Sequence, residues 1–97
     1  MKYGLEENTI SKIHEVFARY PQIEQVIIFG SRAKGNFKSG SDVDLALKGR
    51  HLNLKTINQI SNDIDDLLLP YMFDLIAYSS INNPELLEHI ERIGKPF

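Results

Sequence analysis

Three aspartates occupy positions that folding alone does not favour. Asp42 and Asp44 are two residues apart in a segment that alternates between polar and apolar residues, and Asp74 interrupts an apolar run. In a β-strand, residues i and i+2 project from the same face with their Cα atoms roughly 6.5–7 Å apart. Two unpaired carboxylates at about 6.5 Å repel each other by roughly 2.5 kcal/mol at an effective dielectric constant near 20, and aspartate is a poor strand former. A cation would relieve this cost, and ligand sets made only of oxygen favour Mg²⁺ or Mn²⁺ over Zn²⁺.

A polar segment that contains glycine lies before the aspartates. Gly30 and Ser31 directly follow an apolar run, and Gly35 lies four residues after Ser31. Glycine lets backbone amides approach a phosphate closely, and amides at a turn or at the start of a helix bind anions. Arg32 and Lys34 add positive charge, so we expect both to contact phosphate, although both could instead be solvated surface residues. A triphosphate site beside a metal-binding carboxylate pair is the arrangement that phosphoryl and nucleotidyl transfer require.

A sheet must hold these residues together, and the hydrophobic pattern predicts one. Strand patterns cover residues 23–29, 42–47 and 72–78. Helical patterns cover residues 7–20, the segment from a cap at Asn53 to Pro70, and the segment from a cap at Asn83 to Gly94. The order α-β-β-α-β-α predicts an α+β (α/β) fold in which helices back one mixed sheet, as a single small domain over residues 1–97. Asp74 would share a face with the other two aspartates if the third strand pairs beside the second.

Composition excludes several classes of protein. The formal net charge of −2 disfavours a general nucleic-acid binder, which needs an excess of basic residues. The absence of cysteine excludes a disulfide scaffold, a thiolate zinc site and a cysteine nucleophile, and it suits the cytoplasm. No apolar run approaches the roughly 20 residues that span a bilayer. We therefore expect a cytoplasmic protein that does not enter a membrane.

The two polar segments together form a recognisable motif. Gly30-Ser31-Arg32-Ala33-Lys34-Gly35 and Ser41-Asp42-Val43-Asp44-Leu45 resemble the Gly-Ser…Asp-x-Asp motif of the DNA polymerase β-like nucleotidyltransferase superfamily. The resemblance covers nearly the whole chain. It indicates the minimal nucleotidyltransferases, which are short stand-alone proteins often encoded beside a HEPN-domain protein. The motif is specific because both parts must occur at the right separation.

The resemblance implies a role for each matching residue. Contacts to the triphosphate are implied for Gly30, Ser31, Lys34 and Ser41. Asp42 and Asp44 match the two metal-binding carboxylates of the family. Asp74 matches the third carboxylate, which helps to bind the catalytic metal and to deprotonate the acceptor hydroxyl.

The same resemblance implies an enzyme that transfers a nucleoside monophosphate, with ATP as the donor and Mg²⁺ or Mn²⁺ as the cofactor. The acceptor is expected to be a hydroxyl of a cognate HEPN toxin, which would make this protein an antitoxin. One alternative is a non-catalytic partner that neutralises a HEPN protein by contact. Another is a nucleotidyltransferase that acts on RNA or on a small molecule. A homo-oligomer is also left open.

Overall fold

The mixed sheet is confirmed by the computed structural model, which describes residues 1–97. Its strands are β1 (Ile23–Phe29), β2 (Val43–Gly49), β3 (Phe73–Ala77) and β4 (Lys95–Pro96). The spatial order is β3-β2-β1-β4. β1 pairs antiparallel with β2 and with β4, whereas β2 pairs parallel with β3. The N-terminal ends of β2 and β3 therefore meet at the same end of the sheet.

Four helices accompany the sheet: α1 (Glu7–Phe17), α2 (Gly30–Lys34), α3 (Leu54–Asp65) and α4 (Pro84–Ile93). A short 3₁₀ turn, Tyr78–Ser80, follows β3. Both expected caps are confirmed, because Oδ1 of Asn53 accepts from the Thr56 amide and Oδ1 of Asn83 accepts from the Glu85 amide, each at 2.9 Å. None of these helices has the length and apolar character that crossing a bilayer requires.

The two faces of β2 pack against different layers, and this decides where its polar residues lie. Val43, Leu45 and Leu47 are fully buried in the main core, whose other members include residues of α1 and α3. On the opposite face, Ala46 is buried in a smaller cluster with Ile27 of β1 and Ile90 of α4. Because side chains alternate along a strand, Asp44 lies on the same face as Ala46. This is the face that α4 covers in part.

Two predicted helices end earlier than expected. α1 ends at Phe17, and the amides of Arg19 and Tyr20 then bond to carbonyls three residues back. The residue before a proline is disfavoured in the α-helical region, so Pro21 disfavours a helical conformation at Tyr20. The chain after α3 also forms hydrogen bonds to carbonyls three residues back, since the Leu67 amide donates to the Ile64 carbonyl. Leu67 therefore lies in a turn that follows α3 and is not part of the helix.

The second strand is shifted by about one residue at its start. β2 begins at Val43, so Asp42 lies just before the strand. The strand also continues through Lys48 and Gly49, beyond the predicted end at residue 47. Two further elements, α2 and β4, were not predicted. Both are too short to show a periodic pattern, with five and two residues respectively.

Candidate active site

The parallel pairing of β2 with β3 confirms that Asp44 and Asp74 lie side by side. The two residues are direct partners in the register, and neighbouring strands are about 4.8 Å apart. Asp42 is two residues before Asp44 and is exposed at the end of the sheet. The structure therefore places all three predicted aspartates at the same end of the sheet.

The environment of Asp44 is unfavourable for a free carboxylate. Burial raises the pKa of Asp44 above its ordinary value, and the negative charges of Asp74 and Asp42 raise this pKa further. A positive charge on His89 would act in the opposite direction and lower the pKa of Asp44. Asp42 and Asp74 are exposed, whereas Asp44 is half-buried. The site thus holds negative charge that the protein itself compensates only in part.

This set of carboxylates fits a metal ion that arrives with a nucleotide. No three His, Cys, Asp or Glu side chains converge closely enough to hold a metal ion by themselves. Mg²⁺ typically keeps several waters and binds through one or two carboxylates together with substrate phosphates. The oxygen-only ligands and the mutual repulsion at Asp44 match that mode of binding. They do not match a closed protein cage.

Gly30 brings the start of α2 against the carboxylate of Asp44. Its φ angle is +75°, in the left-handed region, and a Cβ at this position would lie 3.3 Å from Cγ of Asp44 and still closer to its Oδ2. Both the backbone conformation and the space therefore require glycine. The contact joins the two parts of the sequence motif directly.

The other residues of the candidate phosphate-binding segment, residues 30–35, differ in how accessible they are. Ser31 is half-buried in α2, and Lys34 is exposed at the end of that helix. Lys34 forms no ion pair, since the one ion pair of the chain joins Arg92 to Glu88. Its ammonium group is therefore available to an anion. The phosphate contacts of these two residues stay predictions.

Arg32 does not lie where a phosphate contact requires. Only 2% of its surface is exposed, and its guanidinium group donates hydrogen bonds to the backbone carbonyls of Tyr3, Ser39 and Ser41. We therefore remove Arg32 from the candidate phosphate ligands. Its positive charge was visible in the sequence, but the direction of its side chain depends on tertiary packing.

Ser41 already has a structural role in the turn before β2. Its Oγ accepts a hydrogen bond of 2.8 Å from the Lys38 amide, and its own amide donates to the Lys38 carbonyl at 3.0 Å. The hydroxyl hydrogen can still donate to a phosphate oxygen, because the oxygen acts only as an acceptor in the turn. A phosphate contact by Ser41 stays a prediction.

His89 is a site residue that the sequence pattern did not identify. Its Nε2 accepts a hydrogen bond of 3.2 Å from the Gly30 amide, and its ring packs edge-on against Phe29. A phosphate that binds the Gly30 amide must therefore displace this imidazole. The contact depends on how α4 docks on the sheet, and His89 shows no ligand spacing with the other histidines.

We expect Asp44→Asn to raise the melting temperature at neutral pH when divalent cations are chelated. Since the pKa of Asp44 is raised in the folded state, its ionisation destabilises the fold as the pH rises from the ordinary aspartate value through the raised value. The gain should therefore be nearly absent at about pH 3, below the ordinary aspartate pKa, and present at pH 7. Glu24→Gln, which removes one charge from an exposed position of β1, is the matched control. A lower melting temperature for Asp44→Asn across this range would contradict the proposed repulsion.

The sequence of this chain is similar to those of known nucleotidyltransferases. The family described as "Polymerase beta, Nucleotidyltransferase" matches residues 11–97. A Methanocaldococcus jannaschii protein named as a protein adenylyltransferase is 31% identical over 91 residues, which cover 86% of this chain and 92% of that protein.

Solved structures share the fold. A structure described as a minimal nucleotidyltransferase superposes with a TM-score of 0.73 at 22% identity, covering 100% of this chain and 97% of that chain. The second example is a Shewanella oneidensis complex of a tri-AMPylated HEPN toxin with an MNT antitoxin. Its matching chain has a TM-score of 0.70 at 18% identity, covering 95% of this chain and 71% of that chain. At these identities the likeness shows the fold alone.

Proposed function

This chain belongs to the polymerase β nucleotidyltransferase family, and from that membership we propose that it transfers AMP from ATP to a hydroxyl of a HEPN toxin. The reaction depends on Mg²⁺, or on Mn²⁺ in its place, and takes place in the cytoplasm, where the protein acts as an antitoxin. One observation carries the proposal. Gly30 of the phosphate-binding segment lies against Asp44, which is itself the register partner of Asp74.

The proposed reaction is a displacement at the α-phosphorus of ATP. The acceptor oxygen forms a new bond to this phosphorus while the bond from the phosphorus to the α,β-bridging oxygen breaks. Pyrophosphate leaves with the electron pair of the broken bond, and the acceptor proton passes to the carboxylate of Asp74. Asp42 and Asp44 would hold a Mg²⁺ ion that accompanies the nucleotide, and this ion would offset the negative charge that develops on the phosphates.

The residues of the chain divide this work between binding and proton transfer. Asp42 and Asp44 hold the metal that accompanies the triphosphate. Ser31 and Lys34 contact the phosphates, and the exposed ammonium group of Lys34 supports this role. Asp74 is exposed on the edge strand β3, so that a hydroxyl can reach its carboxylate from solvent. The half-buried Asp44 is less accessible to a large acceptor.

A protein acceptor fits the open side of the site. β3 is at the edge of the sheet, and no element of the chain pairs with its outer side. An acceptor as large as another protein can therefore approach Asp74 without displacing part of this domain. The M. jannaschii relative is named as a protein adenylyltransferase, and the S. oneidensis complex contains an AMPylated toxin. These two names support AMP as the transferred group and a protein as its acceptor.

We expect ATP binding to require a divalent cation. The triphosphate and the three aspartates repel each other, so the nucleotide should bind only when a hard cation neutralises both. Titration calorimetry with ATP should give binding in the presence of Mg²⁺ or Mn²⁺ and a large loss of affinity in excess chelator. Equal affinity in the two conditions would contradict a metal-bridged donor site.

A further inference from the structure

We infer that Arg32 is a positioning residue that fixes Asp42 relative to the phosphate-binding segment. The inference rests on the proposed function, because it assigns the purpose of Arg32 to the metal site. Arg32 directly follows Ser31 in α2. The Ser41 carbonyl, to which its guanidinium group donates, belongs to the peptide between Ser41 and Asp42. One guanidinium group thus links the two parts of the sequence motif.

The hydrogen bonds of Arg32 hold the Ser41–Asp42 peptide in one orientation. Nε and Nη2 both donate to the Ser41 carbonyl, at 3.1 and 2.9 Å. Two donors from a rigid, planar fork on the same oxygen restrict rotation of this peptide more than a single contact does. Nη2 also donates to the Ser39 carbonyl at 3.4 Å, and Nη1 donates to the Tyr3 carbonyl at 2.9 Å. These hydrogen bonds therefore connect Arg32 both to the turn before β2 and to the N-terminal turn.

The surroundings of the guanidinium group make this arrangement rigid. The group lies 5.1 Å from the ring centre of Phe37 and 5.2 Å from that of Tyr71. Cations near aromatic faces are attracted by the ring quadrupole. With 2% of its surface exposed, Arg32 is held by two rings and three carbonyls. A buried charge of this kind is costly unless its donors are satisfied, and here the carbonyls satisfy them.

Asp42 needs such support because it lies outside the sheet. β2 begins at Val43, whose amide donates to the Met72 carbonyl at 2.8 Å. That bond fixes the chain on the C-terminal side of Asp42. On the N-terminal side, the Arg32 fork on the Ser41 carbonyl does the same. An exposed carboxylate between two fixed peptides points in a restricted set of directions, which is what a metal ligand requires.

Arg32→Lys tests this inference. Lysine keeps a cation between the rings but cannot supply a planar fork to one carbonyl. We expect the variant to fold and to bind ATP at saturating Mg²⁺. The Mg²⁺ concentration that gives half-maximal ATP binding should rise roughly 10- to 100-fold, the usual cost of losing a group that orients a metal ligand. Calorimetry at a series of Mg²⁺ concentrations measures this shift, and excess Mg²⁺ should restore binding.

A matched control separates this role from simple stabilisation. Asn53→Ala removes the cap of α3 and should lower the melting temperature without changing the Mg²⁺ dependence. If Arg32→Lys does not fold, Phe37→Leu tests the inference instead, because it removes one of the two rings beside the guanidinium group. It should shift the Mg²⁺ dependence of ATP binding in the same direction by a smaller factor. A folded variant with a lowered melting temperature and the wild-type Mg²⁺ dependence would overturn the inference. Wild-type protein that binds ATP equally without Mg²⁺ would instead overturn the proposed function, and this inference with it.

Discussion

Asp42→Asn and Asp44→Asn are each expected to abolish Mg²⁺-dependent ATP binding and AMP transfer together. Each change keeps the size of the side chain but removes one of the charges that hold the cation. Because the metal joins the protein to the triphosphate in the proposed site, losing either charge should weaken both binding and chemistry. We expect single-turnover transfer to fall by more than roughly 100-fold, since even groups that only orient a metal ligand are worth up to about that factor.

Folding must be shown to be intact for this result to be informative. Neither change should unfold the domain, because Asp42→Asn removes one of the charges that raise the pKa of Asp44, and Asp44→Asn removes the half-buried carboxylate that those charges repel. Thermal melting of both variants, beside Glu24→Gln as a control for loss of one charge, establishes this. Wild-type transfer by both aspartate variants would remove the basis of the proposed function.

Asp74→Asn should separate binding from chemistry. Asp74 belongs to β3 and is exposed beside Asp44, and in the proposed reaction the acceptor hydroxyl approaches the α-phosphorus from this side. If its carboxylate mainly accepts the acceptor proton, the variant should retain much of the affinity for ATP with Mg²⁺. Its single-turnover transfer rate should still fall by roughly 100-fold or more, the range expected for loss of a general base.

Comparison with the Asp42 variant is the control for this separation. Asp42→Asn should lose affinity and rate, whereas Asp74→Asn should lose mainly rate, under identical Mg²⁺ and ATP concentrations. A near-normal transfer rate for Asp74→Asn would contradict the assigned proton transfer. A loss of ATP affinity as large as that of Asp42→Asn would show instead that Asp74 acts mainly as a metal ligand.

The parts of the fold that the sequence predicted are those that depend on local patterns. β1 has the predicted bounds because an apolar, β-branched run ends at a glycine. The alternation of polar and apolar residues around Asp44 correctly predicted the face of the sheet on which Asp44 lies, since Val43 and Leu45 are both buried on the opposite face. The shared face of Asp44 and Asp74 depended on one further condition, that the third strand pairs beside the second, and the structure meets this condition.

The parts that the sequence did not predict depend on contacts between distant residues. Arg32 was expected to contact phosphate because the sequence shows its positive charge near Gly30 and Ser31. Its hydrogen bond to Tyr3, however, joins residues 29 positions apart. His89 reaches the Gly30 amide across 59 positions, through the docking of α4. β4 forms because Lys95 and Pro96 pair with Ile28 and Ile27 of β1. None of these three contacts has a signal in residue spacing.

The proposed function is tested most directly by following the phosphates of ATP separately. The protein is incubated with Mg²⁺ and the product of the neighbouring gene, with ATP labelled at the α-phosphate in one reaction and at the γ-phosphate in the other. We predict that the α-label becomes bound to the partner protein, that the γ-label is released in pyrophosphate, that chelator prevents labelling, and that Asp74→Asn slows labelling by roughly 100-fold or more. Transfer of the γ-label to the partner, or no transfer of the α-label with wild-type protein and Mg²⁺, would contradict the proposed function.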